Sequence, residues 1–264
     1  MGPYRPRDSG ANFPALTTDP EDAMIDDLPA PSDISAILRA EHGDPFSVLG
    51  PHHVRGGCAV RCFMPDAASV QLISRATGRL IGSLERVHPD GFWSGLLKPS
   101  QPYLLRIDSN GTIWETEDPY DFPLLLGDLD IYLIAEGRHH ELGSCLGAHA
   151  MEIDGVWGVR FAVWAPNARR VSVVGGFNNW DGRRHPMRKR VGPGVWEIFI
   201  PRLLPGTLYK YEILGAHGVL PWKADPVAWQ AEAAPGTASI VADPTRKRSL
   251  MICSERRLMD SDMA

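Results

Sequence analysis

The chain has 264 residues, of which 44% are hydrophobic, and its 26 glycines and 23 prolines predict many turns and short strands rather than long helices. A net charge of −5 leaves no overall positive field, which argues against binding to nucleic acid or to an anionic membrane. No apolar run reaches the roughly 18 residues of a membrane span, and no hydrophobic segment lies near the N-terminus, so we expect a cytoplasmic protein.

The cysteines and histidines do not form a recognisable metal or redox motif. Cys58 and Cys62, if they share a strand, lie about 13 Å apart, too far for a disulfide. The segment "RHHE" at 138–141 lacks the HExxH spacing that places two ligands on one helix face. We therefore expect buried, reduced thiols and predict no metal site and no cofactor.

The N-terminal segment, residues 1–31, carries six prolines and six acidic residues and predicts a disordered arm. A short helix follows in "SDISAILRAEHGDP", with Ser32 or Asp33 as its cap, Ile34 and Ile37 at helical spacing, and Gly43 at its end. From there to about residue 243 the pattern is that of strands separated by Gly, Pro, Asn or Asp.

The strand signals form two sets that repeat one another at an offset of about 100 residues. The first set is "AVRCFMP", "SVQLIS", "FWSGLL" and "YLLRID"; the second is "GVRFAVWAP", "RVSVVGG", "VWEIFIP" and "LYKYEIL". "LGPH" at 49 recurs as "LGAH" at 146, and "DPY" at 118 as "DPV" at 225. A repeat of this length with six or seven short strands predicts an all-β chain of two tandem immunoglobulin-like β-sandwiches.

The repeat sets the predicted domain limits. We place the first sandwich at 32–125, a linker with a short helix at 126–145, and the second sandwich at 146–243. Beyond it, residues 244–264 lose all binary pattern, so we expect a second disordered tail, which a frameshift would also produce.

The second repeat contains "VVGGFNNWD", where Gly175 and Gly176 permit a sharp turn after a strand and place Trp180 on a loop. A sugar ring presents an apolar face and a rim of hydroxyls, and so is bound by a flat aromatic ring beside amide groups. Trp180, Asn178 and Asn179 supply both. Alternatively, Phe177 and Trp180 plug the end of the sandwich while the asparagines make turn hydrogen bonds.

A second group of candidates follows in "GTLYKYEILGAHGVLPWKADP". Strand alternation puts Tyr209, Tyr211 and Ile213 on one face, so that Lys210 points the other way and can donate hydrogen bonds to hydroxyls. Trp222, beside a proline and a lysine, is either a second aromatic surface for sugar or a cover for the sandwich edge.

Together, "GGFNNWDGRRHPM", "GTLYKYEI" and "PWKADP" resemble a family 48 carbohydrate-binding module, a β-sandwich that binds starch and glycogen. The resemblance implies that Trp180, Lys210 and Trp222 contact α-glucan. Members of the family related to the β-subunit of AMP-activated kinase, the kinase-type members, have a sugar-binding asparagine after the threonine that corresponds to Thr237. Here "GTASIV" offers only Ala238 and Ser239 at that place. The first repeat has "LISRATGRL" in place of "VVGGFNNWD", so we expect it to pack and not to bind sugar.

"GDPFSVLGPH", "LGAHAMEIDGVWGVRFAVWAPNARRV" and "TASIVADP" further resemble the N-terminal half of bacterial glycogen branching enzymes over roughly residues 33–244. Such enzymes carry their catalytic carboxylates on a (β/α)₈ barrel of about 250 residues, for which this chain has no room. We therefore expect a non-catalytic α-glucan-binding fragment. The alternative is a docking module with a vestigial sugar site, whose partner is a separate catalytic chain.

A dense basic run, 183–190, includes Arg183, Arg184, Arg188 and Arg190. Because the chain as a whole is acidic, we expect a solvated loop or a docking surface here rather than a phosphate site.

Overall fold

The computed structural model describes residues 28–190 and 192–244, so the predictions for residues 1–27 and 245–264 lie outside the described residues. The architecture is all-β, as predicted. The first seven strands form one antiparallel path in the order β1-β2-β5-β4-β3-β6-β7. Their bounds are β1 Gly50–Val54, β2 Gly57–Phe63, β3 Ser69–Ser74, β4 Leu80–His88, β5 Phe92–Leu97, β6 Tyr103–Ser109 and β7 Thr112–Thr116.

This path folds over on itself to make the first sandwich. Strand β4 joins its halves, since β4 pairs with β3 on one side and with β5 on the other. Val60 on β2, Leu72 on β3 and Leu105 on β6 belong to one fully buried apolar cluster although their strands are distant in the sheet order. The halves therefore pack face to face.

The second sandwich has two separate sheets, one in the order β11-β12-β9-β8 and one in the order β10-β13-β16-β15, with β14 paired to β13. Their bounds are β8 Gly147–Ile153, β9 Val156–Trp164, β10 Arg170–Gly175, β11 Arg188–Arg190, β12 Val195–Pro201, β13 Leu208–Gly215, β14 Gly218–Val219, β15 Gln230–Ala231 and β16 Ser239–Ile240. The alternation predicted for β13 is confirmed, because Tyr209 and Tyr211 are fully buried while Lys210 is partly exposed.

Corresponding tryptophans in the two sandwiches make the same hydrogen bond. The indole N–H of Trp93 donates to the carbonyl of Met64 at 3.0 Å, and that of Trp196 donates to the carbonyl of Ala165 at the same distance. Each indole thus satisfies its single donor on the turn that follows β2 or β9. The internal repeat is structural as well as sequential.

A buried tyrosine–aspartate pair is repeated in the same way. The hydroxyl of Tyr103 donates to Asp118 at 2.9 Å, and the hydroxyl of Tyr209 donates to Asp225 at 2.6 Å. Burial raises the pKa of Asp118 to about 7 and also raises the pKa of Asp225. These pairs account for the "DP" that recurs near the end of each repeat.

The two sandwiches share one apolar core. On β5, Trp93 packs inside the first sandwich, whereas Phe92 points from the opposite face into a cluster that includes Phe161 and Tyr209 of the second sandwich. We call this cluster the shared core; its first-sandwich members include Val48, Leu49, Phe63, Phe92 and Tyr120. The outer face of one sheet of the first sandwich is therefore buried.

Helix α1, Pro31–Leu38, adds Ile34 and Ile37 to the shared core, as their spacing predicts. Its predicted limits were wrong at both ends. Pro31 occupies the first helical position, where its missing N–H costs nothing, and Ser32 and Asp33 make no side-chain cap. The helix ends at Leu38 because Ala40 is left-handed with φ of 53°, well before Gly43.

The linker contains two helices, α2 Asp128–Ala135 and α3 Leu142–Cys145, where a single one was predicted. Cys58, Cys62 and Cys145 are buried free thiols, as expected, and Cys253 lies outside the described residues. In the part of the chain that the structure describes, no helix is both long and apolar enough to cross a membrane.

Gly194 is expected to tolerate no side chain. A Cβ there would lie 2.4 Å from the Cα of Pro166, and its φ of +74° is left-handed. Gly155 has nearly the same φ, +76°, with nothing within 4 Å, so Gly155→Ala is a matched control. We expect Gly155→Ala to lower the free energy of unfolding by about 1–2 kcal/mol, and Gly194→Ala by a further 1–3 kcal/mol or so. Urea unfolding measures both, and equal losses would contradict the close approach.

Candidate functional site

The loop between β10 and β11, residues 176–187, begins with a 3-10 turn, Gly176–Asn178. Asn179 and Trp180 then adopt left-handed backbone conformations, with φ of 56° and 58°. The N–H of Trp180 donates to the carbonyl of Gly175 at 2.9 Å, which closes the turn. Two consecutive non-glycine residues in this region cost about 1–2 kcal/mol each, so the surroundings must hold the loop in place.

Asn178 provides part of that support from inside the loop. Its side chain is 2% exposed, donates to the carbonyl of Val173 at 2.8 Å and to Nδ1 of His185 at 3.0 Å, and accepts from the N–H of Gly175 at 3.0 Å. The amide of Asn178, which was predicted to contact sugar, therefore makes its hydrogen bonds within the loop and to the strand before it. Asn179 is exposed, as a sugar contact requires.

The structure brings Trp180 and Trp222 together although 42 positions separate them in the sequence. Their rings stack with centroids 5.1 Å apart and an interplanar angle of 22°. One face of each indole is therefore covered by the other. Trp222 is 45% exposed and Trp180 is partly buried, so the pair presents one outer surface rather than two separate ones.

Glu212 fixes the position of Trp222, and the sequence did not reveal this role. One carboxylate oxygen accepts the indole N–H of Trp222 at 3.2 Å, and the other accepts from Arg170 at 2.8 Å. Arg170 is 2% exposed and Glu212 is shielded, so this ion pair is stronger than a surface pair. A Cβ on Gly182 would lie 2.0 Å from the same carboxylate, which shows how closely the 176–187 loop covers it.

Lys210 lies on the same outward face of β13 as Glu212, two residues and about 7 Å along the strand. Its ammonium donates to the hydroxyl of Thr237 at 2.6 Å, so Thr237 joins the site although sequence reasoning did not include it. Ser239, at the position of the family's asparagine region, is 1% exposed and accepts the backbone N–H of Asp225 at 2.9 Å. It is turned away from the surface that Lys210 shares with Trp222.

The basic run is engaged within the protein rather than free in solvent. Its side chains pair with acidic groups or lie over aromatic rings: Arg183 with Asp181 and Phe63, Arg184 with Asp66 and Asp181, Arg188 over Phe46, Lys189 over Trp196, and Arg190 with Glu197 and Asp128. The predicted docking surface is therefore one that joins parts of this chain.

His185 is held in its neutral form beneath the loop. Desolvation by burial, with the nearby charge of Arg184, lowers the pKa of His185 to about 4, and Nδ1 must stay bare to accept from Asn178. In the unfolded chain the imidazole of His185 takes up a proton near pH 6.5, so its contribution to the free energy of unfolding is complete above pH 6.5. Between pH 6.5 and pH 4 that contribution falls by up to about 1.4 kcal/mol per pH unit as the pH is lowered.

Asp118 and Asp225, whose pKa values are raised, have the opposite effect: they lower the free energy of unfolding as the pH rises through their folded pKa values. To remove these contributions, we compare the wild type with His185→Gln and take the difference in unfolding free energy, measured by urea titration from pH 4 to 8. We expect this difference to shrink below pH 6.5. A difference that does not depend on pH would contradict the neutral, buried imidazole.

A cluster of possible metal ligands lies in the linker, where Asp130, His139 and Cys145 come within 4.8 Å of one another. His139 Nε2 is 3.1 Å from Asp130 and 3.6 Å from the thiol of Cys145. The backbone N–H of Glu141 donates to Nδ1 of the same ring, so Nε2 carries the proton of the neutral form. A metal bound at Nε2 would leave the proton on Nδ1, facing the N–H of Glu141, so the group fits a hydrogen-bonded cluster instead.

Two family models match successive parts of the chain. Residues 30–120 match the N-terminal domain of the alpha-1,4-glucan branching enzyme GlgB, and residues 145–228 match carbohydrate-binding module 48, the isoamylase N-terminal domain. This chain matches the N-terminal region of a bacterial branching enzyme. The resemblance inferred from the sequence is thereby confirmed.

Curated relatives agree with the family models. The 1,4-alpha-glucan branching enzyme GlgB of Pseudomonas syringae pv. syringae is 59% identical over 218 residues, which are 82% of this chain and 29% of that enzyme. GlgB of Paraburkholderia xenovorans is 57% identical over 213 residues, 80% of this chain and 29% of that enzyme. The chain thus spans about 30% of the length of the branching enzymes that it matches.

Proposed function

We propose that the second sandwich, residues 146–243, binds α-glucan such as glycogen or malto-oligosaccharide, in the service of glycogen biosynthesis. The observation that carries the proposal is the stacked pair of Trp180 and Trp222, which is partly exposed on the surface and fixed by the buried ion pair of Glu212 and Arg170. Sandwich packing alone does not require a partly exposed tryptophan on a strained loop.

The chemistry of the pair suits a sugar chain. The outer surface of the two indoles offers an apolar plane for the C–H face of a glucose ring. Lys210 and the exposed Asn179 supply hydrogen-bond donors at its rim, and Thr237 supplies a hydroxyl beside Lys210. Because the rings stack on each other, a sugar lies against the outside of the pair and not between its members.

The first sandwich, by contrast, has only a tight turn where the second has the 176–187 loop. The N–H of Gly78 donates to the carbonyl of Ser74 at 2.8 Å, and β4 begins at Leu80. We propose that residues 32–125 contribute packing and no sugar contact of their own, and that residues 126–145 act as the linker.

The enzymes that this chain resembles are branching enzymes, and we propose that the second sandwich holds the glucan while cleavage and transfer take place elsewhere, in the remainder of such an enzyme or on a separate chain. The purified chain is then expected to leave the iodine absorbance of amylose unchanged. A progressive fall in absorbance would contradict a non-catalytic role.

Calorimetry with maltoheptaose, using the purified chain without any partner, tests the binding proposal. A shallow surface site buries little area per sugar, so we expect a dissociation constant on the order of 0.1–1 mM. Lys210→Met keeps the aliphatic stem and removes the charged donor, which is expected to weaken binding about five- to tenfold. Lys98→Met, an exposed lysine of the first sandwich, is the control and leaves the affinity unchanged.

The alternative, a docking module with a vestigial sugar site, predicts no heat of binding for the isolated chain. Its support in the structure is the position of Ser239, which is buried where the family's kinase-type members have an asparagine contact. Binding by the isolated chain that Lys210→Met weakens would exclude this alternative.

A further inference from the structure

Asp181, the residue directly after Trp180, lies between two arginine side chains. Asp181 accepts hydrogen bonds from the guanidinium of Arg183, at 2.9 Å from Nε to Oδ1 and 2.8 Å from Nη2 to Oδ2, and from the backbone N–H of Arg183 at 3.0 Å. It also lies 3.6 Å from Nε of Arg184. Burial disfavours the charged carboxylate, but the hydrogen bonds from Arg183 outweigh it and lower the pKa of Asp181. Asp181 is thus held as an anion by two arginines.

Both arginines also reach the first sandwich. The guanidinium of Arg183 lies over the ring of Phe63, with 5.5 Å from its carbon to the ring centroid, and Arg184 forms an ion pair with Asp66. Phe63 and Asp66 belong to β2 and the turn after it. The 176–187 loop is therefore attached to the first sandwich three and four residues beyond the tryptophan that we assign to glucan binding.

A third contact holds the backbone of the same segment. The hydroxyl of Tyr120 lies 3.4 Å from the carbonyl of Arg184 and 3.4 Å from that of Pro186, and its ring is part of the shared core. A loop with two left-handed residues keeps one conformation only if its surroundings over-determine it. These contacts supply that restraint from outside the second sandwich.

We propose that the first sandwich is a positioning unit for the glucan site of the second, and that Asp66 acts as a positioning residue through Arg184 and Asp181. The inference rests on the proposed function, since it concerns the same tryptophan pair. It gives the repeat that lacks its own aromatic surface a role in glucan recognition. The glucan site is then a property of the two sandwiches together and not of the carbohydrate-binding module alone.

The test compares Asp66→Ala with Glu41→Ala in the full chain. Glu41 is a matched control, because its carboxylate also pairs with one arginine, Arg39, at the surface and lies far from the loop in the sequence. We expect Asp66→Ala to weaken maltoheptaose binding two- to fivefold at unchanged thermal midpoint, Glu41→Ala to have no effect, and Asp66→Glu to restore the affinity.

Circular dichroism gives a readout that does not depend on sugar. Two stacked indoles produce an exciton couplet, which is isolated by subtracting the spectrum of Trp180→Phe. Asp66→Ala is expected to reduce this couplet, and Glu41→Ala to leave it intact. A merely stabilising role for Asp66 would change the thermal midpoint and leave the couplet as it is.

The outcomes separate the two proposals. If Trp180→Ala weakens binding and Asp66→Ala does not, the positioning role is overturned while the glucan site stands. If Trp180→Ala leaves binding unchanged, the proposed function fails, and the couplet alone decides whether Asp66 positions the tryptophan pair. An undiminished couplet in Asp66→Ala overturns the inference in either case.

Discussion

Phe161→Ala is expected to lower the free energy of unfolding by about 3–5 kcal/mol and to destabilise both sandwiches at once. Phe161 is fully buried in the shared core and packs edge to face against Tyr209, with ring centroids 5.0 Å apart. The same cluster contains Phe92 of the first sandwich. Urea unfolding, followed separately by tryptophan fluorescence and by far-ultraviolet circular dichroism, measures the loss.

Leu72→Ala is the comparison, because Leu72 is equally buried but belongs to the internal core of the first sandwich. If the shared core couples the sandwiches, both variants unfold in one transition with coincident probes. Two transitions, of which Phe161→Ala shifts only one, would show that the sandwiches unfold independently.

The second large effect is expected at the tryptophan pair. Replacing both Trp180 and Trp222 by alanine should reduce co-sedimentation with glycogen at least tenfold, since stacking of a sugar on an aromatic ring is the main apolar contact available. Trp222→Ala alone should reduce glycogen binding more than Trp180→Ala, because Trp222 is the more exposed ring and Trp180 stacks against its inner face.

Trp157→Ala is the matched control for this experiment. Trp157 is 57% exposed, on β9 of the other sheet, so its loss removes a comparable apolar surface away from the proposed site. Glycogen retention should match the wild type. Equal retention of the double variant and the control would remove the assigned site.

Some of the strands that the sequence predicted, such as β3 and β10, are rich in β-branched residues. Several that it missed lack that pattern: β1 is "GPHHV", β4 contains Gly82 and two charged residues, and β11 is the basic segment "RKR". Their strand conformation comes from pairing with a neighbour, as β11 pairs with β12, and not from their own propensity.

The candidate site was likewise predictable from the sequence only in part. Trp180, Lys210 and Trp222 could be selected from local motifs, but the stacking of the tryptophans depends on how two distant loops meet. The role of Glu212 depends on the β10–β13 register, which sets Glu212 opposite Ser172 and beside Arg170. Asn178 carried the right residue type for sugar binding, yet its burial depends on the backbone path of the loop.

The attachment of the basic run to the first sandwich could not be predicted from the sequence either, because it also depends on how distant segments pack. Phe92 and Trp93 are adjacent, and alternation alone assigns one of them to a solvent-facing surface. Only the packing of the second sandwich shows that both faces of β5 are buried. The contacts of Arg183 and Arg184 follow from that packing.

The central claim is that glucan lies on the Trp180–Trp222 pair. The most direct measurement is titration of the chain with maltoheptaose while the indole N–H signals are followed by nuclear magnetic resonance. We expect the signals of Trp180 and Trp222 to shift in proportion to occupancy, and those of the buried Trp93 and Trp196 to stay fixed. Saturable shifts confined to other tryptophans, or none at all, would contradict the account.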